Sequence, residues 1–315
     1  MTKLSKNILM FIIVISITIF VLIIIKICVV FDSSTEKLTI KRKLNPKIPY
    51  NLYKTGPYTY NNLPLDFIKA INTSSKHLLA DFYYYNDNEC RDLIRDNFES
   101  KVLKAYDMLI PTAYKADLWR YCILYLYGGI YSDVGHTVLK YFQINRKNTD
   151  MILTKDRYIT SPLINGIDQE SHIDNSIQIS FMATIPKNNF FMFVINNVAK
   201  DILKKRYNRN EFDITGPTAF GRLFAEFFNY KKNINNDFAN IKKLKGLDGK
   251  IYKILIPLYE GNNHTLLNWK KLEEGIILTK TPNYHSNMYR TQKPRIHYSL
   301  LWNNKNVYHQ GNDIL

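Results

Sequence analysis

Asp117, Arg120 and Asp133 are the residues of this chain whose types and spacing best suit chemistry. They fall in one run, Lys115-Ala-Asp-Leu-Trp-Arg-Tyr-Cys-Ile-Leu-Tyr-Leu-Tyr-Gly-Gly-Ile-Tyr-Ser-Asp133. Asp117 and Arg120 lie three apart, so a helix puts them on one face. Asp133 follows a Gly-Gly stop and a short apolar stretch, which delivers a carboxylate to the exposed end of a strand. Acid, base and acid then converge from two elements, an arrangement suited to an anionic, hydroxyl-rich ligand. On spacing alone, Asp117 and Arg120 also fit an ordinary surface pair worth a few tenths of a kcal/mol.

The elements that must position these groups follow from the pattern around them. The run predicts an amphipathic helix whose buried side is Leu118, Trp119, Cys122, Ile123 and Leu126. Gly128 and Gly129 supply a left-handed C-cap, and Ile130 and Tyr131 open the strand. Upstream, strands are expected over 48–53 and 78–85, and helices over 65–72, 89–97 and 101–109, with Asn86-Asp87-Asn88 as a break. Downstream, strands are expected over 176–184, 251–258 and 275–279, helices over 190–206 and 218–228, and a loop or insertion over 231–250. Alternating strands and helices argue an open α/β sheet with parallel strands.

The chain has 315 residues, a net charge of +16 and three cysteines. Its apolar content supports a real core and excludes a wholly disordered protein. Eight Lys/Arg against Asp32 and Glu36 in residues 1–47 account for +6 of the charge. The remaining basic residues are dispersed, and no nucleic-acid-binding motif is present, so nucleic acid is not an expected partner. The charge also admits a tethered scaffold for anionic partners. Cys28, Cys90 and Cys122 make neither a disulfide framework nor a zinc spacing.

Ile8 to Ile25 is eighteen residues without a charge, and the apolar run continues past Lys26 to Phe31. Roughly 20 apolar residues span a bilayer. The reading is a short tail over 1–7, an uncleaved single-pass anchor over 8–31, a polar stem over 32–45 and a globular domain over 46–315. Counting basic residues beside the anchor puts that domain on the cytoplasmic side. Sequons at Asn72 and Asn263 would permit glycosylation in a lumen, so topology stays open.

The order of motifs resembles glycosyltransferase family 32, the DXD-type sugar transferases, which are also similar to the glucosylating domains of large clostridial toxins. The residues that carry the resemblance are Pro46-Lys-Ile-Pro-Tyr-Asn-Leu-Tyr-Lys-Thr, Tyr83-Tyr-Tyr-Asn-Asp-Asn-Glu-Cys-Arg91, and the block from Ala113 to Asp133. Asp213-Ile-Thr-Gly-Pro217 and His297-Tyr-Ser-Leu-Leu-Trp302 come later in the same order. The resemblance implies a GT-A, Rossmann-like fold and transfer of a hexose from a UDP- or GDP-linked donor to a glycan, lipid or protein acceptor, with retention. It implies a lumenal, Golgi-type domain on a membrane anchor, and a divalent cation, manganese before magnesium. It also implies roles: Asp133, Asp117 and Arg120 as catalytic groups; Tyr53, Tyr131, Ser299 and Trp302 beside them as donor contacts; and Asp133, His297 and His136 as metal ligands. Tyr53 and Trp302 equally suit a core, and His136 an ordinary loop histidine. One departure stands out: Asp133-Val-Gly-His lacks the second carboxylate of Asp-x-Asp, with Gly135 in its place. A catalytically impaired nucleotide-sugar-binding protein is therefore the alternative.

Overall fold

The computed structural model describes residues 16–24, 46–139, 148–155, 176–231, 241–256, 258–260, 265–268, 275–281, 283 and 296–309. The chain divides into two compact units, Met1–Asn45 and Pro46–Leu315. In the first unit residues 16–24 are helical, with exposed side chains. Among the described residues no helix is long and apolar enough to cross a membrane. The rest of the anchor expected over 8–31, and the stem, lie outside the described residues.

The second unit is mixed α/β. Its strands are β1 (Asn51–Thr55), β2 (Asp81–Tyr85), β3 (Gly129–Ser132), β4 (His136–Val138), β5 (Met151–Lys155), β6 (Ile177–Thr184), β7 (Lys242–Lys245), β8 (Ile251–Leu255), β9 (Leu258–Glu260), β10 (Thr265–Asn268) and β11 (Gly275–Lys280). Its helices are α1 (Leu65–Leu78), α2 (Asp87–Asn97), α3 (Ser100–Met108), α4 (Thr112–Tyr127), α5 (Asn189–Leu203), α6 (Pro217–Phe227) and α7 (Tyr298–Asn303). One seven-stranded sheet has the order β2-β1-β3-β6-β5-β8-β7; a four-stranded sheet has the order β4-β11-β10-β9.

The all-parallel expectation is corrected. β1 is parallel to β2 and β3, and β5 to β8, but β6 runs antiparallel to both β3 and β5, and β7 antiparallel to β8. Strand periodicity marks which face is buried and says nothing about the direction of a neighbour far away in the chain. The loop expected over 231–250 likewise contains edge strand β7. Its Lys-Lys-Leu-Lys sequence suits an edge, where charge blocks further pairing.

Two boundary corrections have clear causes. α1 runs on through the polar Thr73-Ser74-Ser75 stretch because Ser74 is buried and its Oγ accepts the Val138 amide at 3.0 Å. α2 begins at Asp87 because Asn86 is its cap. Asn86 Oδ1 accepts the Asn88 and Glu89 amides at 3.0 and 3.1 Å, and Glu89 Oε2 accepts the Asn86 amide at 2.8 Å.

Helix α4 occupies the centre of the larger core and is buried on every face from Leu118 to Leu124, so it is not amphipathic. A helix enclosed in this way needs its polar side chains to find internal partners. Gly128 and Gly129 connect it to β3 with φ of 61° and 96°. The ψ of Gly128 is −163°, outside the left-handed helical region expected of a C-cap. At Gly128 a Cβ would sit 2.5 Å from the Pro186 nitrogen, and at Gly129 one would sit 2.7 Å from the Asn51 carbonyl oxygen. Positive φ and close approach both demand glycine here. This tight connection places α4 directly against β3, in the middle of the sheet.

Candidate active site

Arg120 is the hub of a buried polar cluster at the C-terminal end of β3. Its Nη2 lies 2.9 Å from Asp117 Oδ1 and its Nη1 3.2 Å from Asp133 Oδ1. Nη1 also donates to the Ile179 carbonyl of β6 at 2.8 Å, and the guanidinium lies 4.5 Å from the centre of the Tyr131 ring. Asp117 is held from its other side by the Thr215 hydroxyl at 2.8 Å, and Asp133 by the Tyr131 hydroxyl at 2.7 Å. The three side chains expected to meet therefore do meet. Together with Tyr131 they line a cavity of about 470 Å³.

Burial sets the electrostatics. The Asp117 carboxyl is pushed up to about 6 by desolvation, with Arg120 and Thr215 pulling the other way. Burial opposes the Arg120 charge, yet Tyr131, Asp133 and Asp117 outweigh it and raise its pKa. Arg120 is a fixed cation whose side chain is 7% exposed, while that of Asp133 is 32% exposed at the cavity wall.

Beneath Asp133 lies a group that its residue type alone did not mark. Lys54 on β1 is fully buried, and its Nζ donates to the Asp133 and His136 carbonyls, each at 2.8 Å. Desolvation pushes its pKa down to about 7, with Asp133 pulling it back. The lysine thus pins the Asp133–His136 turn to β1. A lysine inside a first strand, between Tyr53 and Thr55, was the available signal. Gln178 and Ser180 were also missed. Gln178 Oε1 and Ser180 Oγ are buried in residues that line the cavity and have no hydrogen-bond partner. Leaving such an atom unpaired costs about 1–3 kcal/mol. Their alternation with Ile177, Ile179 and Phe181 along β6 was the signal.

The other expected donor contacts are placed elsewhere. Tyr53 does not line the cavity. It is buried and stacks on Tyr83 at 5.5 Å, because the register of β1 turns it into the core. Trp302 is half-buried against the core, its indole N–H donating to the Tyr207 carbonyl at 3.0 Å. Ser299 reaches the site only through Glu211, to whose Oε1 its hydroxyl donates at 3.3 Å; Glu211 itself lines the cavity.

The expected metal ligands do not form one site. His297 lines the cavity, but its Nδ1 accepts the Ser299 amide at 3.3 Å as the cap of α7. His136 is half-buried, with its Nδ1 enclosed, and does not line the cavity; desolvation leads in lowering its pKa. Among the described residues no group of three or more His, Cys, Asp or Glu is arranged to hold a metal ion. At the Asp133 turn a divalent cation would meet the Asp133 carboxylate already paired with Arg120, Gly135 stands where a second acid would, and Asp117 is engaged by Arg120 and Thr215. The described residues therefore do not fit the cation that the resemblance implies, and no chemical step is assigned to one.

Residues 57–159, which include α4, β3 and the Asp133 turn, match the family described as glycosyltransferase sugar-binding region containing DXD motif. This block is similar to the members of that family. The chain is 28% identical over 152 residues to the initiation-specific alpha-1,6-mannosyltransferase of Candida albicans, covering 44% of this chain and 39% of that protein. It is 26% identical over 244 residues to inositol phosphoceramide mannosyltransferase 2 of Schizosaccharomyces pombe, covering 74% of this chain and 60% of that protein. The chain thus spans less than two thirds of the length of these curated relatives. A solved structure titled PaToxG glycosyltransferase overlaps 62% of this chain and 79% of its own at 14% identity with a TM-score of 0.41.

Proposed function

We propose that this protein is a glycosyltransferase whose donor site is the cavity at Asp117, Arg120 and Asp133. The observation that carries the reading is the convergence of those three side chains, from α4 and the end of β3, on one cavity inside the family-matched block. Transfer from a nucleotide sugar breaks the bond between the anomeric carbon and a diphosphate oxygen, while an acceptor hydroxyl forms the new bond. Negative charge collects on the departing diphosphate, and a preorganised cation in a desolvated wall stabilises it. Arg120 supplies that cation, and its planar fork suits phosphate oxygens. Asp117 and the Ile179 carbonyl fix its orientation, so little reorganisation is needed when charge develops. Asp133, the more exposed acid, accepts hydroxyl protons from the sugar or ribose. The mannosyltransferase relatives favour mannose as the sugar transferred.

The same reading includes a GT-A arrangement of the sheet, retention of anomeric configuration, and a membrane anchor over 8–31 that rests on the apolar sequence alone. The test is nucleoside diphosphate release by the full chain from GDP-mannose, UDP-glucose and related donors, beside an Asp133→Ala variant. Release by the parent chain and its loss in the variant are expected. Equal release by both would contradict the reading.

Gly135 and the absence of a metal-ligand cluster among the described residues favour a second reading, a nucleotide-sugar-binding protein without turnover. Saturable binding of donors with no diphosphate release would select it.

A further inference from the structure

We propose that the β7–β8 hairpin docks on an anionic lipid surface, through a face of lysines set around two exposed aliphatic side chains. The inference is independent of the donor-site reading and concerns residues that do not line the cavity.

The register of the hairpin gathers this face. Across β7 and β8, Lys243 pairs with Lys253 and Lys245 with Ile251. Residues two apart on a strand share a side, so Lys243, Lys245, Ile251 and Lys253 lie on one face. Leu244 and Tyr252 take the other, where Tyr252 packs on Phe227 and Phe228. Ile251 is 66% exposed, and in the connecting turn Lys250 is exposed and Leu247 is 63% exposed. Lys47 joins from the start of the domain: its Nζ lies 2.8 Å from Asp150 Oδ1, while Asp150 Oδ2 accepts the Lys253 amide at 2.7 Å.

Two features of the face ask for a partner. Like charges directly opposite one another in a sheet are destabilising, and Lys243 and Lys253 are placed so. The acids alongside are already committed. Asp150 is shared between Lys47 and the Lys253 amide, and Asp248 accepts from Asn189, the Tyr252 hydroxyl and the Lys250 amide. Protection of a sheet edge accounts for charge on β7. It does not account for Lys253 on the inner strand, nor for two aliphatic side chains open to water. An anionic bilayer answers both features. Its headgroups draw the lysines, whose apolar stems lie along the interface, and Leu247 and Ile251 enter the boundary with the acyl chains. The face offers no aromatic ring for base stacking, which separates it from a surface for single-stranded nucleic acid.

The place of the hairpin in the fold agrees. β6 runs antiparallel to both β3 and β5, and β8 parallel to β5, so β3, β5 and β8 share one direction. Asp133 follows the end of β3, whereas the hairpin turn precedes the start of β8, which puts the cavity and the turn at opposite ends of the sheet. Lys47, ahead of β1 at the same end as the turn, stands 16 residues past Phe31, where the apolar run finishes. A lipid surface at the turn leaves the cavity open to water.

The experiment is lysine footprinting of the full chain in lipid nanodiscs, made of phosphatidylcholine alone or of phosphatidylcholine and phosphatidylglycerol in equal parts. Acetylation rates are read by mass spectrometry. In the anionic discs Lys243, Lys245 and Lys253 are expected to react about fivefold more slowly than in the neutral ones, and high salt restores their rates. Lys69 on α1 and Lys200 on α5, both exposed, are the references and keep their rates. A Lys243→Glu, Lys245→Glu variant should lose the slowing at Lys253 while its melting temperature stays that of the parent. Equal rates in the two kinds of disc overturn the inference, as does slowing that reaches Lys69 and Lys200 to the same extent. Greater slowing by poly(A) RNA in neutral discs than by anionic lipid would assign the face to nucleic acid and overturn it too.

Discussion

Two clusters of aspartate and arginine lie in this domain, and they are built inside out with respect to each other. At the end of α5 and in the 3-10 turn Glu211–Asp213 ahead of α6, Asp201 and Asp213 are buried, and partly exposed Arg206, Arg209 and Arg222 close over them from the surface. Arg222 spans both acids at 3.0 and 3.2 Å, while Arg206 and Arg209 each hold one. In the cavity the cation Arg120 is the buried partner, and Asp133 stands at the wall with Gln178 and Ser180 unpaired beside it. The first cluster is closed on itself and clamps two helices. The second opens onto a cavity, with Asp133 at its wall. Composition does not separate a structural cluster from a binding one; an open cavity beside the charged groups does.

The strongest way to break this contrast is to remove the hub of each cluster. Arg120→Met leaves Asp117 buried without its cation and is expected to cost about 3–5 kcal/mol of stability along with all turnover. Arg222→Met, at a partly exposed position whose acids keep other partners, should cost about 1 kcal/mol or less and spare turnover. Urea unfolding and a donor-release assay read both, and equal losses would erase the distinction.

Next comes exchange of the acids. Asp133→Asn should lower turnover on the order of a hundredfold with little change in stability. Asp213→Asn should lower stability by about 1–3 kcal/mol with turnover unchanged. The contrast fails if kcat falls equally in the two variants. Lys54→Met sharpens it from below, since it deprives the His136 carbonyl of a buried donor. A loss of about 1–3 kcal/mol is expected in thermal or urea unfolding.

The pH dependence comes from Asp117, whose pKa rises from 3.8 to about 6 on burial. Its contribution to stability is fully present below pH 3.8 and is lost as pH rises through about 6, because the folded chain holds the proton more tightly. Turnover should run the opposite way, increasing as the carboxylate ionises and anchors Arg120. Asp117→Asn should remove that inflection from kcat/KM profiles. At a position remote from both clusters, Asn86→Ala should destabilise by about 1 kcal/mol through loss of the α2 cap and leave turnover unchanged.

Local features were legible in the sequence, and features set by distant partners were not. The helix, Gly-Gly and strand that carry Asp117, Arg120 and Asp133 are contiguous, so spacing made their convergence readable, and the family resemblance weighed it above a surface pair. The direction of β6 against β3 and β5 is a long-range pairing with no local signature. Tyr53 fits base stacking by residue type, but the register of β1 against β2 turns it inward onto Tyr83. Lys54 read as one more basic residue because its carbonyl partners come from 79 and 82 positions away. His136 and Trp302 had residue types that suit a donor site, and their burial settled them outside the cavity wall.

The central claim is that the open cluster, and not the closed one, holds a nucleotide. Hydrogen exchange of the full chain with and without saturating GDP or UDP tests it directly. Protection confined to the segments around Asp117–Tyr121, Tyr131–Val134 and Gln178–Phe181 is the result predicted. Protection centred on Asp201 and Asp213, or none under saturating nucleotide, would contradict it.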